Sequence, residues 1–146
     1  MLRRIAPLAL ALTVAAAPLA AAQAAQAAKP TAMMTAIQGV WQMTVVNGQD
    51  AAGSGQEVTI TIKDNTYVQA VNGQVVERGT FKLDETKKPM TIDINVVEGD
   101  DAGKTQLGVF ELTGKTMKGK LSDPGGARPG DFAIAEGYFV FTMVKK

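Results

Sequence analysis

The feature that most constrains this chain is an alternation of apolar and polar residues with a period of two, which recurs in short runs from Gly39 onward. In EVTITIK, residues 57–63, three β-branched apolar residues alternate with threonine and lysine, and MTIDINVV repeats the pattern from residue 90. Successive side chains of a strand point to opposite faces, so this period predicts strands with one buried face and one solvated face. Such strands are typical of antiparallel sheets.

Turn signals divide the chain into eight such runs. The strongest is Asn72-Gly73, because the type I′ turn of a tight hairpin needs a positive φ at both central residues. No amphipathic helix of useful length separates the runs. The predicted strands span residues 39–47, 56–63, 66–71, 74–83, 90–98, 105–113, 115–121 and 138–145.

Short connections between consecutive strands predict an all-β fold, an eight-stranded up-and-down antiparallel barrel. Closure of a barrel removes exposed strand edges, and eight strands are a natural number for it. The alternative is an open two-sheet sandwich with Greek-key connections, which the short connections disfavour.

Residues 1–28 carry the three-part pattern of a secretory signal peptide, with two arginines, an apolar stretch and small residues. Two A-x-A sites predict cleavage near Ala24 or Ala27 and an exported protein, either periplasmic or secreted. The alternative is a membrane anchor, which is disfavoured because the stretch is rich in alanine and only weakly apolar. Residues 29–36 are then a lead-in segment, and residues 37–146 form one barrel domain without a membrane span.

The chain contains no cysteine and no histidine. An exported protein without disulfides depends on its hydrophobic core, which a domain of this length can supply. The absence of histidine excludes Ser-His-Asp and Cys-His catalysis and removes the commonest zinc and copper ligand. The 15 basic and 14 acidic residues nearly cancel, and no clustered basic surface suits nucleic acid. We therefore expect no enzyme, no metal site, no cofactor and no nucleic-acid partner.

The only tryptophan stands at the start of the first predicted strand, within Ile37-Gln38-Gly39-Val40-Trp41. Gly39-x-Trp41 resembles the hallmark of lipocalins and related barrels. The resemblance implies that Trp41 closes one end of the barrel and packs on a basic residue of the last strand, Lys145 or Lys146. An indole fills such an end while its N–H finds a carbonyl. Structural roles are therefore expected for Gly39, Trp41 and Lys145.

A longer part of the chain carries a series of short motifs. They are Glu77-x-Gly79-Thr80-Phe81-Lys82-Leu83-Asp84, Lys87-Lys88-Pro89-x-Thr91-Ile92-Asp93, Glu98-Gly99, Gly103-Lys104-Thr105, Leu107-Gly108-Val109-Phe110-Glu111-Leu112, and Arg128-Pro129 with Phe132. In these motifs the chain resembles an uncharacterised lipocalin-like domain family that is abundant in planctomycetes. Together with the Gly-x-Trp segment, the resemblance spans nearly all of the chain after the signal peptide. It implies a lipocalin-like fold and an exported address, but no activity.

Charged residues inside predicted strands are candidates for ligand contact. Glu77 shares the parity of Phe81, so it points inward if Phe81 does, and Glu111 shares the parity of Leu107 and Val109. A buried carboxylate must be paired or it becomes protonated, so both glutamates are candidate polar anchors in a cavity. The alternatives are a surface position created by strand bulges and a catalytic carboxylate pair.

The loop SDPGGARPGDFAIAEG, residues 122–137, precedes the last strand. Trp41 begins the first strand, so this loop is expected at the opposite, open end of the barrel. Long loops at barrel mouths often carry function, and we expect a lid with Phe132 and Ile134 facing inward and Arg128 at the rim. In the structural alternative, Pro129 stiffens the loop and Phe132 packs back on the barrel.

The first functional hypothesis is an exported, monomeric barrel that binds an apolar or amphipathic small molecule. The alternative is a protein-interaction or inhibitor-type domain with a filled barrel, acting through its loops. Interior volume separates the two, and a connected cavity of roughly 300 Å³ or more favours ligand binding. Large inward side chains could fill a short barrel, whereas Gly79, Gly108 and Gly119 would leave room. The predicted inward side chains are Met43, Val45, Val58, Ile60, Ile62, Phe81, Ile92, Ile94, Phe110, Phe139, Phe141 and Met143.

Overall fold

A computed structural model describes residues 29–146, so the predicted signal peptide, residues 1–28, lies outside the described part. Within residues 29–146, nine strands form one antiparallel sheet. A five-residue helix, α1 (Ala32–Ala36), precedes the sheet, and a short 3-10 helix, η1, covers Ala51–Ser54. The strands are β1 (Gly39–Val46), β2 (Gln49–Asp50), β3 (Val58–Lys63), β4 (Thr66–Val71), β5 (Gln74–Asp84), β6 (Met90–Glu98), β7 (Thr105–Thr113), β8 (Thr116–Ser122) and β9 (Tyr138–Lys145).

The sheet closes on itself because β1 pairs with β9 as well as with β3. In this register Trp41 stands opposite Ile60 on one side and opposite Lys145 on the other. Each long strand otherwise pairs with the next long strand along the chain, and the two-residue β2 folds back on the end of β1. The predicted eight-stranded up-and-down antiparallel barrel is therefore confirmed, and the Greek-key sandwich is wrong.

A β-bulge in β1 explains one error in the predicted inner face. The pairing with β9 advances by two residues on β1, from Met43 to Val45, while it advances by one on β9. The extra residue is Thr44, and such an insertion inverts the inside–outside alternation beyond it. Val46 consequently packs against the core in place of Val45.

The helix α1 closes one end of the barrel. It lies within residues 29–36, for which the sequence predicted only a lead-in segment. Met33 and Met34 of this helix pack against the hydrophobic core. The Gln38 side chain ties the segment to the β3–β4 turn, because it accepts a hydrogen bond from the Asp64 backbone N–H at 2.6 Å. In the described part of the chain, no helix is long and apolar enough to cross a membrane.

Candidate ligand-binding cavity

Trp41 lies at the end of the barrel that α1 closes, and its exposed fraction is 0 %. Its indole N–H donates to the carbonyl of Ile37 at 2.8 Å. The Lys145 ammonium lies 5.5 Å from the centroid of the indole and donates to the carbonyl of Ala36 at 3.0 Å. The last strand thus contributes Lys145 to this end, whereas the ammonium of Lys146 forms an ion pair elsewhere.

Gly39 allows this arrangement through its backbone and through its lack of a side chain. Its φ of +115° is a conformation that residues with a Cβ rarely adopt. A Cβ at this position would lie 3.2 Å from Cε of Lys145. The glycine therefore lets the chain turn from α1 into β1 and lets Lys145 reach across the barrel end to the indole.

The barrel interior holds a cavity of about 180 Å³ above this closed end. All eight barrel strands contribute to its wall, which is largely apolar, and the predicted inward side chains line it except for Val45 and Val58. Ile60, Ile94 and Phe139 face the interior and are nevertheless only half-buried. The barrel is therefore hollow rather than completely filled.

The volume limits the size of any occupant. The cavity volume is below roughly 300 Å³, the value from which ligand binding is favoured and the lower end of the usual range for drug-sized ligands. It exceeds the roughly 150 Å³ of an engineered apolar cavity in another protein that binds benzene. The cavity therefore suits a molecule with about one substituted aromatic ring.

The three inward glycines do not create this space, so that expectation is wrong. A Cβ at each of them would collide with a large side chain on a neighbouring strand, which already occupies the room that the glycine leaves. The glycines therefore seat these side chains close to the barrel wall. The pairs are Gly79 with Tyr67, Gly108 with Leu121, and Gly119 with Phe141.

A polar patch interrupts the apolar wall on β4 and β5. The Tyr67 hydroxyl donates to Oε1 of Glu77 at 2.7 Å, and Gln69 stands directly opposite Glu77 across the two strands. Burial of the phenol, together with the hydrogen bond to and the charge of Glu77, raises the pKa of Tyr67 well above its usual range. The phenol therefore stays protonated and remains a donor to Glu77. Gln106 adds a fourth polar side chain to the wall from β7.

Sequence parity predicted the inward position of Glu77 but missed its partners. Tyr67 and Gln69 share one parity on β4, and Tyr67 pairs directly with Gly79. An aromatic residue opposite an inward glycine is a recognised cross-strand arrangement, because the ring covers the space that the glycine leaves. That pairing was the available signal for Tyr67. Gln69 and Gln106 had no such sequence signal for an inward position, because polar residues in strands usually face solvent.

Comparison with known proteins identifies the family of this chain. The family model for the lipocalin-like domain matches residues 37–119, which run from the Gly-x-Trp segment into β8. This chain belongs to the lipocalin-like domain family. No curated protein and no solved structure matches it. The matched part of the lipocalin-like domain includes Trp41 and the Tyr67–Glu77 pair, and β9 then completes the ring.

In this lipocalin-like domain Glu111 lies on the outer face of β7, where it is exposed. It does share the parity of Leu107 and Val109, but the opposite face, with Phe110, lines the cavity. The expectation of an inward Glu111 is therefore wrong. The alternation was misleading because Val109, on the same outer face as Glu111, is apolar and only 2 % exposed. Val109 lines a hollow on the outer wall together with Arg128, Pro129 and Gly130 of the loop that precedes β9.

The loop at residues 123–137 packs along the outside of the lipocalin-like barrel. The Arg128 guanidinium donates to the backbone carbonyls of Gly108 at 2.9 Å and Ile92 at 3.2 Å, and it forms an ion pair with Asp93. These contacts hold Arg128 against the outer wall of β6 and β7. A position at the rim of the cavity is therefore wrong for this residue.

The two apolar residues of the loop also lie outside the cavity. The Phe132 ring packs on the barrel wall, with its centroid 5.2 Å from the Lys118 ammonium. Ile134 is 62 % exposed and lies beside Gly48. The inward-facing lid is therefore wrong, and the structural alternative, in which Phe132 packs back on the barrel, describes the loop.

A buried lysine holds the same loop to the lipocalin-like domain. The Lys120 side chain is only 5 % exposed, and its ammonium donates to Asp131 at 3.0 Å. It also lies 4.6 Å from the ring centroid of Tyr138. The hydrogen bond from Lys120 holds the pKa of the Asp131 carboxyl below its usual range.

This pair predicts a pH-dependent contribution to stability. A carboxyl whose folded-state pKa is lowered stabilises the fold fully above its unfolded pKa of about 4, and the contribution is lost as the pH falls through the folded value. We expect Asp131→Asn to lower the free energy of unfolding at pH 7 and to have a much smaller effect at strongly acidic pH. Urea unfolding at both pH values measures this. Asp100→Asn, an exposed change, is the control, and an equal loss at both pH values for Asp131→Asn would contradict the prediction.

Proposed function

We propose that this protein is an exported lipocalin-like barrel that binds one small, largely apolar molecule in its cavity and does not act as an enzyme. The observation that carries the proposal is the hollow interior, with an apolar wall and a volume of about 180 Å³. A concave apolar site with a few convergent polar groups is the usual form of a small-molecule site. Export rests on the N-terminal sequence alone and stays a prediction.

The loop geometry gives less support to the alternative, a protein-interaction domain that acts through its loops. Arg128 and Lys120 hold the 123–137 loop against the outer wall of the barrel. A loop held in this way is poorly placed to project toward a partner. Small-molecule binding in the cavity therefore remains the better supported function.

Toluene is a suitable first probe, because it is apolar and close to the cavity in size. We expect the wild-type protein to bind it saturably with a Kd of about 1 mM or tighter. Ligand-observed NMR with a concentration series measures the affinity. Ile94→Trp places a large ring in the cavity and is expected to weaken binding by at least about tenfold, because the added ring occupies the ligand volume.

Val97→Trp is the matched control for that variant. Val97 lies on the same strand but is 59 % exposed on the outer face, so the same ring added there leaves the cavity unchanged. Thermal melting of both variants verifies that each is folded. Absence of saturable binding to the wild type, or equal binding by folded Ile94→Trp, would refute a ligand site in the cavity.

A further inference from the structure

The cavity wall carries a single negative charge, and within residues 29–146 that charge has no counter-ion. Among the described residues that line the cavity, Glu77 is the one with a charged side chain. Arg78, the next residue, forms an ion pair with Glu98 at 3.4 Å and does not line the cavity. No ion pair in the described part of the chain includes Glu77.

One carboxylate oxygen of Glu77 has no hydrogen-bond partner among the described residues. The Tyr67 hydroxyl is committed to Oε1 of Glu77 at 2.7 Å, and the second carboxylate oxygen accepts no hydrogen bond from the described residues. Gln106 donates one amide N–H to the carbonyl of Ser122 at 3.4 Å, away from Glu77. Gln69, opposite Glu77, adds an amide to the same wall, and that amide can donate as well as accept hydrogen bonds.

A carboxylate on an apolar wall discriminates among ligands by charge. Removing its hydration is costly unless the ligand supplies a donor or an opposite charge. A ligand ammonium satisfies it through a charge-assisted hydrogen bond, which is about twice as strong as a neutral one. A ligand carboxylate instead meets a like charge, which disfavours fatty acids and other anions.

We infer that the ligand of this cavity is a small apolar molecule with one cationic ammonium group, and that Glu77 is its ion-pair partner. Tyr67 orients the carboxylate, and the aliphatic and aromatic wall receives the apolar body of the ligand. The inference rests on the proposed small-molecule function and defines the chemical class of the ligand.

Three probes of nearly equal size and different charge test this inference. Benzylamine, benzyl alcohol and benzoate are titrated into the full protein at pH 7 and low salt, with affinities measured by ligand-observed NMR. We expect benzylamine to bind at least about tenfold more tightly than benzyl alcohol, as a hydrogen bond between charged groups would give. Benzoate is expected to bind more weakly than the alcohol.

The Glu77→Gln variant removes the charge but keeps an oxygen that accepts from Tyr67. We expect it to reduce the preference for benzylamine to about twofold or less, because the charge-assisted bond is lost. Glu111→Gln makes the same change of charge on the outer face and is expected to keep the wild-type preference. Thermal melting verifies folding, and the ranking of the probes by the wild type tests the inference without any variant.

The outcomes separate the inference from the proposed function. If toluene and benzyl alcohol bind but benzylamine binds no more tightly, the ammonium specificity is refuted while the cavity remains a ligand site. If folded Glu77→Gln keeps the full preference, Glu77 is not the partner and the inference fails. If none of the four probes binds the wild type, the proposed function fails first.

Discussion

Trp41→Ala is expected to lower the free energy of unfolding by about 3–5 kcal/mol, the range for truncation of a large aromatic residue in a core. The indole is completely buried, so its removal leaves a cavity at the closed end of the barrel. The carbonyl of Ile37 also loses the hydrogen bond from the indole N–H at 2.8 Å. Lys145 loses the ring on which its ammonium rests. Urea unfolding followed by circular dichroism measures the change.

Val40→Ala is the matched control for this prediction. Val40 is adjacent in sequence but is 38 % exposed on the outer face of β1, so its truncation creates no internal cavity. We expect a loss of about 1 kcal/mol or less for this change. An unfolding midpoint for Trp41→Ala equal to that of the control would show that α1 and Trp41 do not close the barrel.

Gly79→Ala is expected to cost about 1–3 kcal/mol of unfolding free energy, although the change adds only one methyl group. A Cβ at position 79 would lie 2.7 Å from a ring carbon of Tyr67 and 2.8 Å from its hydroxyl oxygen. It would lie closer still to the backbone carbonyl of Asn95, which cannot rotate away. To make room for the methyl group, β5 must move away from β6 or from Tyr67 on β4. Either movement strains the Tyr67–Glu77 hydrogen bond.

A second glycine-to-alanine change provides the control. A Cβ at Gly53 in η1 would meet no atom within 4 Å, and its φ lies outside the left-handed region. We expect Gly53→Ala to be neutral or to stabilise the protein by up to about 1 kcal/mol, because alanine reduces the entropy of the unfolded chain. Equal unfolding midpoints for the two variants would show that position 79 has room for a side chain.

The barrel itself was predictable because its signals are local. Alternation in EVTITIK and MTIDINVV marks strands in any sequential arrangement, and a turn such as Asn72-Gly73 joins neighbours without a crossover. Most strand ends therefore lie within two residues of their predicted positions. The β-bulge at Thr44 escaped prediction because β9, its partner strand, lies about a hundred residues away in the chain.

Some residues of the candidate site were likewise predictable from local parity, and others were not. Parity along β5 placed Glu77 on the same face as Phe81, and both line the cavity. Along β7, Phe110 and Glu111 have opposite parity, so only one of these two predicted inward residues could line the cavity, and the structure places Phe110 there. Apolar Val109 shares the outer face with Glu111 and lies beside the loop that precedes β9. Arg128 and Phe132 were expected at the mouth of the barrel, and their hydrogen bonds and packing instead hold them on the outer wall.

The sequence by itself determined the all-β class, the order of the strands, the Gly-x-Trp end and the parity that Glu77 shares with Phe81, because each follows from neighbours along the chain. Only the tertiary structure decided that α1 closes the barrel, that large side chains fill the space beside the inward glycines, and that a cavity of about 180 Å³ remains. Interior volume is the difference between the space that eight strands enclose and the side chains that enter it. That difference depends on which residues face each other across the ring, and chain order does not specify those contacts.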